Sequence, residues 1–206
     1  YVKKMLGNDN ASRTIYTLIG DENYTEAIKI LENELHSFPD STAIHSLIAY
    51  CYYQTDDFQK ACQSYAKLVQ LNPTNDNYKL LHAQCLYKTD NYYDAMRVSF
   101  GIQSPELKSK NSVLQAAIRY AENDIQSSKS ILTECDQENE DIMIDQAVVL
   151  FKEDRFEEAL EKYNEIKRVH GYIPEVAYCI ALCYYRLNRF EEAHTTIAEI
   201  KASCSR

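Results

Sequence analysis

The chain has 206 residues, including 17 tyrosines but only four glycines and four prolines. Its formal net charge of −9 at pH 7 argues against nucleic acid or an anionic lipid surface as the main partner, because both repel an acidic protein. No apolar run is long enough to cross a bilayer, so we expect no membrane insertion.

A short pattern recurs along the chain with a period of 34 residues. In it, an aromatic residue lies three positions before an alanine, and a proline often follows about twelve positions later. The pattern occurs in residues 24–27, 58–61, 92–95, 156–159 and 190–193, with Pro39 and Pro73 at the matching later position. This period is typical of the tetratricopeptide repeat, a pair of antiparallel helices. The sequence therefore predicts an all-α tetratricopeptide-repeat α-solenoid, a right-handed superhelix of antiparallel helix pairs.

About six repeats are expected, starting near residues 8, 42, 76, 110, 140 and 174, after an N-terminal segment of residues 1–7. We number each repeat so that the alanine of the pattern is position 20. In the second repeat, Ala49 and Ala61 are small enough to let the two helices approach closely. Tyr52, Phe58 and Tyr65 are predicted to fill the space between these helices.

The fourth repeat departs from the pattern. Counted from residue 110, Ala117 and Tyr120 take their expected places, but Ile125 and Ser128 come one residue early. This favours a turn shortened by one residue between its two helices. The acidic stretch that follows, residues 134–141, is predicted to be a solvated loop, and a docking site for a basic partner is the functional alternative.

The seven cysteines are interpreted as reduced thiols. Cys51, Cys85 and Cys183 all fall at repeat position 10, where cysteine serves as a small packing residue. Cys179 and Cys183 are four residues apart on one helix, but no second Cys or His pair is spaced to complete a zinc site. No phosphate-binding loop or nucleophile motif occurs. We predict no enzymatic activity, no metal and no cofactor.

The first helix of each repeat is expected to line a concave surface with its positions 2, 5, 9 and 12. These positions are mostly apolar or aromatic, and a contiguous apolar wall should not stay exposed to water. We predict that they hold an extended apolar or proline-rich segment of a protein partner. The alternative is that they pack against later parts of the same chain. The predicted groove residues are Tyr50, Tyr53, Leu80, Gln84, Tyr87, Leu114, Ile118, Ile144, Val148, Phe151, Tyr178, Leu182 and Tyr185.

Two other functions remain open for such a groove. A soluble cochaperone-type adaptor would hold a C-terminal carboxylate with Lys, Arg and Asn side chains at positions 5 and 9. Here Ser46 and Tyr50 occupy these positions in the second repeat, and Leu80 and Gln84 in the third, which argues against that function. A regulator that holds an enzyme in the same groove is the second alternative.

Several stretches resemble the intraflagellar transport 70, or fleer, family over about residues 15–200. They include "LIGDENYTEAIKIL", "HAQCLYKTDNYYDAMRV", "LQAAIRYAENDIQSSKSIL" and "VVLFKEDRFEEAL". The fourth repeat and the acidic stretch after it share in the resemblance. Family members have many more repeats, so this sequence resembles an N-terminal portion.

The resemblance implies a non-enzymatic core subunit of the intraflagellar transport B complex that acts in cilium assembly. It implies that the partner in the groove is a proline-rich, apolar segment of intraflagellar transport protein 52, with other B-complex core subunits as further partners. It also implies a link to tubulin polyglutamylation. The implied location is the cilium or flagellum and the cytoplasm near the basal body.

Overall fold

The structure is a computed structural model that describes residues 9–136 and 139–204. These residues form helices and turns, with no strand among them, as the sequence predicts. The predicted N-terminal segment 1–7 and the start of the first repeat at residue 8 lie outside the described residues. The described α-helices are α1 (Asp9–Gly20), α2 (Tyr24–Ser37), α3 (Thr42–Gln54), α4 (Phe58–Leu71), α5 (Asp76–Lys88), α6 (Tyr92–Ser99), α7 (Lys108–Ala121), α8 (Ile125–Thr133), α9 (Glu140–Lys152), α10 (Phe156–His170), α11 (Pro174–Arg186) and α12 (Phe190–Cys204).

Consecutive helices pair through tight turns that share one backbone conformation. At repeat position 15 a residue other than glycine adopts a positive φ between 58° and 63°. Asp and Asn tolerate this left-handed region best among the other residues, and they hold five of the six positions. The residues are Glu22, Asp56, Asp90, Asn123, Asp154 and Asn188.

The second helix of each pair begins directly after this turn. In three of the pairs, the side chain of the N-cap residue accepts a hydrogen bond from the first turn of that helix. The side chains of Asp57, Asn91 and Asp124 each accept a hydrogen bond from the backbone N–H three residues later. Such caps satisfy a donor that the first turn of a helix leaves without a partner, and each contributes about 1 kcal/mol.

The positions of the residues with positive φ also show the repeat register of the fourth helix pair. Asn123 follows Asp90 by 33 residues, whereas Asp90 follows Asp56 by 34. The turn of the fourth pair has the same conformation as the other turns, so the expectation of a shortened turn is wrong. The whole pair instead begins one residue earlier in the repeat register.

Burial supports this earlier register. Ala116 is 1% exposed, whereas Ala117, which was expected between the helices, is only half-buried. Ser128 is 1% exposed and occupies the place of the alanine in the other pairs. The fourth pair therefore runs in register from residue 109, and the short segment lies before α7 rather than between α7 and α8.

The chain forms two compact units, residues 1–111 and 112–206. In the first, Ala49, Ala61 and Leu68 have no exposed surface. Tyr52 and Tyr65 are also buried there, which confirms their predicted place in the core. Burying a side chain of this size contributes about 1.5–3 kcal/mol to stability.

Two clusters form the core of the second unit. One brings Ala147 and Ala159, both without exposed surface, against Tyr163 and Ile166. The other surrounds Leu132, which is 1% exposed. The small alanines again lie where two helices meet, so helix pairing in both units rests on the same residue type.

The loop after α8 is shorter than the sequence predicts, because the last two residues of the acidic stretch belong to α9. α8 ends at Thr133, and α9 begins at Glu140, with Asn139 as its N-cap. Glu140 and Asp141 therefore belong to the first turn of α9, where carboxylates interact favourably with the helix dipole. Residues 137 and 138 lie outside the described part.

Candidate partner-binding surface

The predicted groove residues lie on α3, α5, α7, α9 and α11, the first helices of five pairs. Their exposure differs widely. Tyr50, Tyr178 and Tyr185 are exposed by 39%, 56% and 60%. The half-buried members are Tyr53, Gln84, Tyr87, Ile144, Val148, Phe151 and Leu182. The buried members are Leu80, Leu114 and Ile118.

In the first unit, the groove tyrosines pack against the aromatic residues that begin the second helices. The Tyr53 ring lies 5.3 Å from the Phe58 ring, and the Tyr87 ring 5.9 Å from the Tyr92 ring, between centroids. Phe58 is accordingly half-buried at the turn rather than enclosed between the helices. Such pairs contribute about 0.5–1.5 kcal/mol beyond their buried area, so these rings are held in place.

Tyr50 makes a different contact. Its ring packs edge-on against Tyr24, which begins the second helix of the preceding pair, with 6.1 Å between the centroids. Two consecutive helix pairs thus share one aromatic contact at the groove surface. Burial is the main cause that raises the pKa of the Tyr24 hydroxyl, so the phenol stays protonated at neutral pH.

The second unit repeats the aromatic pairing of the turns. Phe151 lies 5.1 Å from Phe156, and Tyr185 lies 5.6 Å from Phe190. The Arg186 guanidinium lies 4.4 Å from the Phe156 centroid and 5.9 Å from that of Phe151.

Cations from the next helix pair lie over aromatic rings at these turns and at position 12 of the fourth pair. Lys88 lies over Phe58 at 5.9 Å, and Lys152 lies over Tyr120 at 5.8 Å. Arg186 also donates to Asp154 at 3.1 Å. A cation over an aromatic face is attracted by the ring quadrupole. The sequence reasoning missed these cations, although each directly follows its groove position in the chain, as in Tyr87-Lys88 and Tyr185-Arg186.

The register of the fourth pair changes which of its residues can line the groove. Leu114 and Ile118 are 6% and 0% exposed, so neither side chain is available to a partner. Position 12 belongs to Tyr120, which takes the place that Tyr53 and Tyr87 have in their repeats. Leu80, at 5% exposure, is likewise buried.

One acidic residue lies beside the groove residues of α9. Burial, and to a smaller degree Asp141, raises the pKa of the Asp145 carboxyl to about 6. It follows Ile144 in the chain and precedes Val148 by three residues. A partner segment with acidic side chains would be disfavoured near α9.

Two cysteines at repeat position 10 have buried, unreactive thiols. Burial raises the pKa of Cys51 to about 11 and that of Cys85 to about 12, which keeps the thiol protonated and unreactive at neutral pH. Cys51, Cys62, Cys85, Cys179 and Cys183 are free. In the described part of the chain, no group of three or more His, Cys, Asp or Glu residues is arranged to hold a metal ion.

None of the helices in residues 9–136 and 139–204 has both the length and the apolar composition needed to span a bilayer.

Stacked antiparallel helix pairs with a left-handed residue at one repeat position define a tetratricopeptide repeat protein. Residues 20–102 match the family described as anaphase-promoting complex, cyclosome, subunit 3. The crystal structure of PilW, a type IV pilus biogenesis factor, superposes with a TM-score of 0.75 at 12% identity, covering 94% of this chain and 92% of PilW. At this identity the likeness shows the fold alone.

Two relatives are much closer in sequence. Intraflagellar transport protein 70A of Xenopus tropicalis is 42% identical over 187 residues, and that of Danio rerio is 40% identical over 187 residues. Each match covers 91% of this chain and 29% of the relative. The resemblance seen in the sequence is thereby confirmed: the chain is homologous to the N-terminal part of intraflagellar transport protein 70. It spans about 29% of the length of these curated relatives.

Proposed function

We propose that this chain is part of a non-enzymatic scaffold subunit of the intraflagellar transport B complex and acts in cilium or flagellum assembly. The homology to intraflagellar transport protein 70 supports this, together with the helix pairs of the tetratricopeptide fold. The proposed location is the cilium or flagellum and the cytoplasm near the basal body. A role in tubulin polyglutamylation, through delivery of the modifying machinery, is part of the same proposal.

The groove holds an extended apolar or proline-rich segment of a partner subunit. The observation that carries this is the aromatic residue at repeat position 12, which packs against a second ring at the turn in two helix pairs of the first unit and in two of the second. Fixed rings offer flat apolar faces at little entropic cost. A proline-rich chain is already extended before it binds, so it also loses little entropy.

Intraflagellar transport protein 52 is the proposed partner, with other core subunits of the B complex bound elsewhere. Tyr50 in the first unit and Tyr178 in the second offer direct contacts, because 39% and 56% of their surfaces are exposed. Tyr185 is exposed by 60% but packs against Phe190 at the turn. The buried Leu80, Leu114 and Ile118 stabilise the helix pairs and take no direct part.

The test introduces a carboxylate at these two tyrosines. We expect Tyr50→Glu and Tyr178→Glu each to weaken binding of a proline-rich segment of the partner by about 2 kcal/mol, or roughly thirtyfold, because each places a carboxylate in a desolvated contact. Titration calorimetry measures the affinity, and a melting curve checks folding. Gln63→Glu is the matched control, because Gln63 is exposed on the second helix of the same pair as Tyr50.

Unchanged affinity in both variants, with folding intact, would contradict the groove proposal. If the groove instead packs against later parts of the same polypeptide, Tyr178→Glu will destabilise the full-length protein and leave the 206-residue chain unaffected. A melting curve of the full-length Tyr178→Glu variant separates the two cases: its melting temperature falls only if the groove packs against later parts of the same polypeptide.

A further inference from the structure

The outer face of α6 carries two large aromatic side chains that no described residue covers. Tyr93 is 77% exposed and Phe100 is 68% exposed. The Arg97 side chain between them is 70% exposed. These residues are four and then three positions apart, a spacing that places them on one side of a helix. We call this set, Tyr93, Arg97 and Phe100, the α6 ridge.

The α6 ridge is particular to the third helix pair. The same three repeat positions are Gln59, Gln63 and Ala66 on α4, and Glu157, Glu161 and Asn164 on α10, so neither helix has an aromatic residue there. The tetratricopeptide fold therefore does not require aromatic residues at these positions. Nor do the rings serve the core of their own pair, since α6 buries its other side through Ala95, Met96 and Ser99.

The backbone after α6 is fixed, which holds Phe100 in place despite its exposure. α6 ends after eight residues, and Phe100 caps it with helical dihedral angles, φ −64° and ψ −20°. The Asp76 carboxylate accepts the backbone N–H groups of Gln103 and Ser104, both at 2.8 Å. Lys79 bonds to Asp76 at 2.7 Å and donates to the Gly101 carbonyl at 3.1 Å. An exposed ring on so well anchored a backbone loses little entropy when it is bound.

The size of the α6 ridge favours a short partner segment over a second copy of the chain. Two rings exposed by 77% and 68% offer only about 250–300 Å² of apolar surface. A stable interface between folded proteins needs about 800 Å² on each side. On α4 the same positions carry two glutamines and one alanine, so α4 adds little apolar surface to the ridge.

The Arg97 side chain of the α6 ridge favours a partner segment with a carboxylate. One nitrogen of the Arg97 guanidinium lies 2.7 Å from Asp94, and its remaining donors are open to a second carboxylate. Lys108 and Lys110, at the start of α7, are exposed, but the exposed Asp90 and Glu106 offset their charge. The open donors of Arg97 are therefore the feature of the ridge that favours a carboxylate on the partner segment.

We propose that the α6 ridge is a docking site for a short amphipathic helix of a protein partner, separate from the groove. Apolar side chains of that helix pack on Tyr93 and Phe100, and an Asp or Glu side chain bonds to Arg97. A helical occupant follows from the spacing of the ridge, since residues at i, i+4 and i+7 form a row that fits between the side-chain rows of another helix.

The test places the photoreactive residue p-benzoylphenylalanine at Tyr93 or Phe100 of the full-length protein, in the cells that express it. Irradiation and peptide sequencing then identify what the residue touches. We expect both positions to label one short peptide that has apolar residues at helical spacing and at least one carboxylate. Gln59 and Gln63, substituted in the same way, are the matched controls and should not label it.

A synthetic copy of the labelled peptide then gives a binding constant. We expect Tyr93→Ser and Phe100→Ser each to weaken its binding about tenfold, Arg97→Glu to weaken it at least as much, and Tyr50→Glu to leave it unchanged. Labelling no stronger than at Gln59, labelling of a second copy of this chain, or labelling of a basic or non-helical segment would each overturn the proposal.

Discussion

Asp145 shows how the environment of a single residue alters the stability of the second unit. Its carboxyl lies half-buried in α9, where burial is the main cause and Asp141 the lesser cause that raise the pKa to about 6. An unfolded aspartate has a pKa near 3.9. Between about pH 4 and pH 6 the unfolded chain loses this proton before the folded chain does. The folded state is therefore penalised as pH rises through this range, and the penalty is complete above it.

The residue-scale prediction is that Asp145→Asn raises the free energy of unfolding at pH 7. We expect a gain of about 1–2 kcal/mol, reduced by the partial solvent contact of the carboxyl, because the amide removes the buried charge. At pH 4 the gain should be much smaller, since the wild-type carboxyl is then protonated in the folded state. Urea unfolding at both pH values measures this.

Asp141→Asn is the control for this prediction. Asp141 is exposed in the first turn of α9, where the helix dipole stabilises its negative charge. Its removal should therefore give no comparable gain in the free energy of unfolding. An equal gain for Asp145→Asn at pH 4 and pH 7 would show that the carboxyl does not titrate as described.

At the scale of elements, the connection from α6 to α7 depends on one carboxylate. Asp76 caps no helix of its own pair but binds the loop that follows α6 through two backbone N–H groups and the Lys79 ion pair. The Lys79 hydrogen bond and the Gln103 backbone bond are the main causes that lower the pKa of Asp76. Because this pKa lies below its unfolded value, the stabilisation is present at neutral pH and is lost as pH falls through the folded pKa.

The element-scale prediction is that Asp76→Ala destabilises the protein by about 2 kcal/mol and frees this loop. The cause is the loss of two charge-assisted hydrogen bonds to backbone groups in a poorly exposed position. Hydrogen exchange should accelerate at the amides of Gln103 and Ser104. Asp40→Ala, which removes an exposed ion pair with Lys67, should change stability much less than Asp76→Ala does, because solvent screens that pair. Unaltered exchange at both amides would contradict the role of Asp76.

Over the whole molecule, stability is expected to be local, because helix pairs in a repeat array contact mainly their neighbours. The first unit has its own core around Ala49 and Ala61, and the second has its own around Ala147 and Ala159. All four alanines have no exposed surface. A charge introduced at one of them should therefore disrupt the unit that contains it before the other.

The prediction at this scale concerns Ala159→Glu. We expect it to destabilise the second unit by several kcal/mol, because it places a larger side chain and an unpaired charge between α9 and α10. Hydrogen exchange should lose protection in α9 to α11 and keep it in α3 and α4. The reciprocal variant, Ala61→Glu, should reverse the pattern. Equal loss of protection in both units would show that the chain unfolds as one cooperative body.

Several features of this protein are determined by its sequence. The 34-residue period, the alanines at position 20 and the scarcity of glycine and proline are local properties of the chain. They are enough to predict helix pairs, because the spacing of apolar residues decides which helical face is buried. Tyr52 and Tyr65 were predicted in the core for this reason, and both are buried.

Only the tertiary structure decided how the fourth pair is placed and how far each groove residue is exposed. A shift of one residue turns a helix face by about 100°, which is why Leu114 and Ile118 became core residues and Tyr120 took position 12. The sequence shows that Ile125 and Ser128 come one residue early, but it does not decide between a short turn and a shifted pair, because residues 116 and 117 are both alanines. Burial of Ala116 decides for the shifted pair. Tertiary packing also decides the position of the cations over the aromatic pairs, since Arg186 and Phe156 are 30 residues apart and meet only when two pairs stack.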